Sequence, residues 1–520
     1  MKIDYIKISS LSAAFTMALM MSCVSDLDVK PNDPFLTTSD KVYTTTESYK
    51  AGLAKLYAAF ALTGQKGPAG SADVAGVDEG FSCFIRSLWY MQELTTDEAV
   101  WTYPNDANGT IFNLHYNTWV PSDGIPTALF ARILNVAALS NEFIRATTGK
   151  TDNADIKKFQ AEARFLRALA YYHGLDLYGK TPFVTEKDLP GAYFPPVKSR
   201  AELFTYVESE LKAIKGDLGA ARFEYGRADK ATAAMLLAKL YLNAQVYINQ
   251  PKYTEAITEL KEVIAGGYAL ANKYSDIFRS DNNTNNTEIV FSQNFDGAKS
   301  QAYSIVQVMI NGNAGYGGWS GLRTTSALVN KFPSLTESRA IFAKEDKGQA
   351  LAISAVNKST DGYGVYKFRN ITAADVTSPN DATGFPDTDF PMFRLADAYL
   401  MYAEAVLRGG TGGDATTALN YVNAIRTRTG DVAASKAPGA ITAGQLTLDF
   451  ILDERARELY WEAHRRTDLI RFGKYTGATY LWPWKGGVID GASIDAKRVL
   501  FPIPAADIGS NPNLKQNDGY

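Results

Sequence analysis

The stretch that most constrains the fold is residues 160–184, QAEARFLRALAYYHGLDLYGKTPFV. At helical spacing Phe165, Leu169 and Tyr172 share one face, and Leu166, Ala170 and His173 lie beside them. Apolar residues cover so much of the circumference that this helix must be sandwiched between others. Gly174 interrupts the pattern, and Gly179 followed by Pro182 stops it. Ala168-x-x-x-Tyr172 is the small-then-aromatic spacing found where helix pairs pack closely in tetratricopeptide-type arrays.

Similar periodicity recurs along the chain. A first helix is expected over 39–62, and a short apolar one over 81–94. Residues 128–147 and 156–178 read as one helical hairpin, and 199–218 and 229–247 as a second. Residues 253–266 open a third unit. The pattern is lost from 271 to about 380, apart from a short strand candidate at 288–294, and helices resume at 392–408, 414–429 and 447–472. The tail 500–520, rich in Pro and Asn, reads as non-helical. The expected fold is mainly α: a scaffold of helix pairs carrying one long, loop-rich insertion, about 271–390, in a single domain spanning 39–520.

The first 22 residues are a leader rather than fold. Lys2 and Lys7 precede an apolar run, residues 8–21, that is too short to span a bilayer. The run ends in Met20-Met21-Ser22-Cys23, a small residue directly before a cysteine. Only Cys23 and Cys83 exist, so a lipidated Cys23 leaves no internal disulfide to form. Residues 23–38 then read as a polar tether with Asp26 and Asp28 near the anchor. A net charge of -3 and the absence of a polybasic run give no reason to bind nucleic acid.

Four segments, RFLRALAYYHGLDLYGKTPFV, LADAYLMYAEAVLR, ERARELYWEAHRRTDLIRFGKY and FPIPAADIGSNPNLKQNDGY, resemble the characteristic blocks of the SusD/RagB family, in that family's order. Ser22-Cys23 resembles its lipobox, and the acidic tether resembles the surface-export signal of Bacteroidetes lipoproteins. The resemblance implies a lipoprotein on the outer-membrane surface with a tetratricopeptide-like half. It also implies an oligo- or polysaccharide ligand and a SusC-like TonB-dependent β-barrel as partner. It implies neither catalysis nor a cofactor.

Two irregular loops hold the binding candidates. Pyranose C–H faces stack on flat rings, while sugar hydroxyls need carboxylates, amides or guanidinium groups. The first loop region supplies Asp78, Arg86, Trp101 and Asn105. The second supplies Tyr316, Trp319 and Arg323, with Gly315, Gly317, Gly318 and Gly321 keeping side chains off the rings. Their order resembles the starch-binding member of the family, where two tryptophans and a tyrosine form an arc; the tyrosine is either Tyr303 or Tyr316. A curved arc suits the curvature of an α-glucan, which favours a starch-like ligand. The competing structural reading is that Arg86 pairs inside the core and the rings pack internally.

Two other functions stay open, a protein-binding helical adaptor and an all-α glycosidase using Glu93, Asp97 or Glu98 across a cleft. No G-x-S-x-G or H-E-x-x-H motif is present, and His115, His173 and His464 are too scattered to suggest a metal site. The Gly-rich segment 311–321 lacks the flanking strand and helix that a phosphate loop needs. Nothing demands a bound ion, although Asp276 or Asp431 could help hold Ca²⁺. The alternating charges of 453–471 read as ion pairing along a helix.

Overall fold

The computed structural model describes residues 39–520 apart from 104–109, 189–190, 192, 285–286, 312–320, 343–351, 359–360, 429 and 431–436. Cys23 and its tether therefore lie outside the described residues. The chain divides into two units, 1–49 and 50–520. In the first, the helix expected from residue 39 is broken after Ser39–Val42 and restarts at Thr46. Thr45 and Ser48 cause the restart. Each side chain accepts the other's backbone N–H, 3.0 and 3.2 Å, which satisfies two donors at the new helix start.

In chain order the elements that matter here begin with α1 (Thr46–Ala61), α2 (Phe84–Glu93), β1 (Val100–Trp101) and α3 (Ile111–His115). The scaffold helices follow: α4 (Gly124–Thr147), α5 (Ala154–Leu177), α6 (Arg200–Ile214), α7 (Lys230–Leu242) and α8 (Tyr253–Ile264). After β2 (Ile289–Gln293), β3 (Leu322–Arg323) and β4 (Phe390–Arg394) come α9 (Leu395–Leu407), α10 (Ala415–Arg426), α11 (Leu448–Leu459) and α12 (Arg465–Arg471). The fold is mainly α, as its sequence periodicity implies. Each helix from α4 to α10 packs on the next, and α8 packs directly on α9. The insertion is thus spliced between two neighbouring scaffold helices. Its ends are tied by the antiparallel pair β2–β4, in which Ile289 faces Arg394.

Several boundaries differ from those expected. Between the helices expected over 81–94 and 128–147 lie β1 and α3, which the periodicity does not predict. The helix expected from 392 begins with strand β4 instead. The span 447–472 is two helices, broken where Trp461 and Ala463 adopt φ of 65° and 63°. The tail holds a short helix, Ala505–Ser510, set behind Pro504.

Helix α5 is buried along most of its length, as a sandwiched helix must be. Asn153 caps it, accepting N–H groups from Asp155 and Ile156. Gly174 does not interrupt it. A Cβ at that position would lie 2.7 Å from Thr181 Cγ2, so glycine is there to let the buried 180–182 strand approach. Gly→Ala in a helix ordinarily stabilises, by ~0.5–1 kcal/mol. Here Gly174→Ala is expected to destabilise by about 1–3 kcal/mol through overpacking, read from urea denaturation midpoints. A gain in stability would refute the close-approach argument.

The charges of 453–471 are largely buried and pair across elements. Arg394 Nη1 lies 2.7 Å from both Glu288 and Glu458, and its Nε lies 2.6 Å from Glu462. Arg339 and Arg426 each reach Glu454 at 2.8 Å, Arg465 holds Asp97 at 2.7 Å, and Arg471 holds Glu404 at 2.6 Å. Burial alone would raise these carboxyl pKa values. For Glu458 the guanidinium groups of Arg428, Arg394 and Arg339 override it, and the carboxyl falls to about 2. The reading of intrahelical pairing survives only for Glu454–Arg457 and Asp468–Arg471, both three residues apart.

Candidate functional site

The first candidate loop is anchored by α2. Arg86, only 4% exposed, projects from its first turn. Its Nε donates to the Tyr90 hydroxyl at 2.9 Å, and its Nη1 donates to the carbonyls of Gly80 at 2.8 Å and Tyr303 at 3.2 Å. The guanidinium also lies 5.2 Å from the Tyr90 ring centroid, within cation–π range. Arg86 thus ties together the loop carrying Asp78, one turn of α2, and the segment carrying Tyr303. Asp78 is exposed, and its Oδ1 accepts the Gly80 N–H at 2.7 Å, which closes a tight Asx turn.

Trp101 meets the second loop through backbone pairing. In the β1–β3 ladder Trp101 faces Leu322 and Val100 faces Arg323, and Thr102 N–H donates to the Gly321 carbonyl at 2.6 Å. The Trp101 ring packs edge-on to Tyr90 at 6.1 Å and is 7% exposed, and its indole Nε1 has no hydrogen-bond partner among the described residues. It therefore stands deeper than a ring held clear of the core would. A Cβ on Gly321 would come within 2.8 Å of Tyr103 Cβ and 3.3 Å of the Trp101 ring, so glycine there lets the backbone of the second loop pack closely against the indole. Trp101 N–H donates to His115 Nδ1 at 3.3 Å. Burial lowers the His115 pKa to about 3, so that ring is neutral.

The described residues thus bring together Asp78, Arg86, Trp101 and Tyr303, with Tyr90 as a shared support. Tyr90 is a residue the periodicity assigns to the α2 core; its four-residue spacing from Arg86 is the signal that links the two. Asn105, Tyr316 and Trp319 lie outside the described residues, as does Asp431; Asp276 lies in the turn Ser275–Phe278. Arg323 is fully buried and does not line an open surface.

The carboxylates considered for hydrolysis sit in the core. Asp97 is paired with Arg465, Glu98 accepts the Trp461 N–H at 3.2 Å, and Glu93 accepts that of His464 at 3.0 Å. Burial raises the Glu93 pKa to about 7 and pushes Glu98 up as well, the charge of Glu93 adding to the effect. Two cavities occur away from Arg86 and Trp101. One, of about 50 Å³, lies in the core against His173, Lys239, Arg455 and His464. The other is a surface groove of about 350 Å³ walled by Tyr57, Tyr225, Gln293 and Asn294.

The chain is 35% identical to the starch-binding protein SusD of Bacteroides thetaiotaomicron, with full coverage of both chains. It belongs to the SusD family. The model of that family matches residues 346–520. Solved structures share the fold at lower identity. A laminarin-binding SusD-like protein superposes with a TM-score of 0.70 at 22% identity, covering 92% of this chain and all of its own. The surface glycan-binding protein A of B. thetaiotaomicron, solved with laminarihexaose, gives 0.68 at 18%, covering 91% and 100%.

Proposed function

We propose that this SusD-family chain captures an oligo- or polysaccharide at the cell surface and delivers it to a TonB-dependent β-barrel in the outer membrane. The observation that carries the reading is the full-length similarity to starch-binding SusD. At 35% identity that relative favours a starch-like α-glucan. The laminarin-binding structure and the laminarihexaose complex, at 22% and 18%, share a fold and do not weigh on the ligand. The residue chemistry fits a sugar: an indole and a fixed guanidinium sharing Tyr90 as support, with an exposed carboxylate on the adjoining loop. Asp78, Arg86, Trp101, Asn105, Tyr316 and Trp319 are the proposed ligand-binding residues, and a lipidated Cys23 is the proposed anchor.

Binding of the chain from Val24 onward to a panel of starch, laminarin and unrelated polysaccharides tests the ligand, with a reducing-sugar assay alongside to detect turnover. Binding to none of them would refute the reading, and turnover would replace it with hydrolysis. Cys23→Ala is expected to move the protein from the membrane fraction to the soluble fraction in cells lacking the barrel. Retention through detergent-free washing would refute the anchor. Co-purification with a large β-barrel in mild detergent tests the partner.

A further inference from the structure

The rings beside Trp101 continue outward. His115, which accepts the Trp101 N–H, packs edge-on to Tyr116 at 4.9 Å and to Phe112 at 5.6 Å. Phe112 and Tyr116 are four residues apart on the outer side of α3, half-buried, with rings stacked at 6.5 Å and 26°. Trp484, half-buried on the hairpin that carries Gly486 and Gly487, lies 6.1 Å from Tyr116.

Trp484 is held in an uncommon way. Its φ is 71°, a left-handed conformation that is unfavourable for a bulky side chain and persists only where surrounding contacts enforce it. Those contacts are present. The Trp484 backbone N–H donates to the Val488 carbonyl at 2.9 Å, and the indole N–H donates to the Ile353 carbonyl at 3.1 Å. Gly486 N–H donates to Asn117 Oδ1 at 3.3 Å, and the Gly487 backbone lies so close that a Cβ would sit 3.8 Å from the Tyr116 ring. Trp461 has a similar φ of 65° but is fully buried, with its indole N–H bonded to the Glu98 carbonyl. Strain at Trp461 serves the core, whereas at Trp484 it fixes a ring that solvent still reaches. The Tyr116 side chain adds a hydroxyl beside the rings.

We propose that Phe112, Tyr116 and Trp484 form a second stacking surface that engages further pyranose units of a long neutral glycan held at Trp101. The inference rests on the glycan-binding reading above and adds to it a dependence on chain length. The rings are preorganised, so stacking on them costs little ordering, and each added sugar face gains an apolar partner.

The test is a titration series with malto-oligosaccharides of increasing length and with soluble starch, on the wild type, Trp484→Gly and Trp101→Ala. Glycine adopts φ near 71° without strain, so Trp484→Gly removes the ring while relieving the backbone. Tyr116→Leu serves as a second variant that retains bulk at α3. In the wild type, affinity should rise from short to long chains. In Trp484→Gly and Tyr116→Leu that rise should shrink at least several-fold, while Trp101→Ala weakens binding at every length. An unchanged rise in both ring variants, alongside weakened Trp101→Ala, would overturn the second surface and leave the first site standing. An unchanged rise combined with weakened co-purification of the barrel would reassign these rings to protein docking and overturn the proposal. Failure of the wild type to bind any glycan would sink both readings.

Discussion

Replacing Arg394 with methionine should lower the unfolding free energy by about 3–5 kcal/mol, the cost of removing one partner from a buried ion pair. Arg394 is 1% exposed and contacts Glu288, Glu458 and Glu462, all of them buried. Arg428, Arg339 and Lys367 still approach these carboxylates, at 3.2, 3.1 and 2.6 Å, but none of them bridges all three. The comparison is Lys212→Ala, which breaks an exposed pair with Glu208 one helical turn away and should cost under about 0.5 kcal/mol. The pH dependence follows from the lowered carboxyl pKa values. A folded pKa near 2 for Glu458, against about 4.3 for an unfolded Glu, gives a stabilisation that is complete above the higher value. It is lost as pH falls from the higher value toward the lower. Arg394→Met removes one cation that holds Glu458 down, so its acid transition should lie at higher pH. Urea titrations at pH 7 and an acid-unfolding series check both points. A loss below about 1 kcal/mol would mean that the remaining cations compensate.

Trp101→Ala should weaken glycan binding several-fold and also destabilise the protein. Because Trp101 is 7% exposed and packs on Tyr90, truncation removes buried apolar area worth about 3–5 kcal/mol. The β1–β3 ladder makes this binding candidate structural as well. Trp101→Phe separates the two roles, since it retains a ring against Tyr90 but presents a smaller face. The expected result is a small change in melting temperature with a clear drop in affinity. Affinity equal to wild type in folded Trp101→Phe and Trp101→Ala would show that this ring packs without binding.

The helical scaffold was legible because its signal is local. Burial on most sides of α5 is written in the run from Phe165 to Tyr178, and β2 in the apolar run after Glu288. What stayed hidden depends on distant partners. Gly174 looks like an interruption until Thr181 is seen against it. The break between α11 and α12 was invisible because Trp461 and Ala463 announce no turn, and their inverted φ is imposed by tertiary contacts, Glu98 among them. The charges of 453–471 alternate as exposed pairs do, yet Glu288, Asp97 and Arg339 come from far along the chain to meet them. At the candidate site the loop position of Asp78 was readable from composition, whereas Arg86 stands in α2 and Trp101 in β1. The pairing of Trp101 with Leu322 was not readable, since two-residue strands leave no periodic trace.

The cross-element charge network also bears on the order in which the chain can mature. Asp97, Glu288 and Asp397 find buried cations on Arg465, Arg394 and Arg455, so at all three sites the partner is supplied by the last quarter of the chain. Until residues 455–465 arrive, Asp97 has only Lys331, 3.8 Å away, and Asp397 only Lys239 to offset the cost of burying an ion. The helical pairs from α4 to α8 can form early from local contacts, but the core around α2 and α9 must wait. The final helices therefore supply the last cations that this core needs in order to close.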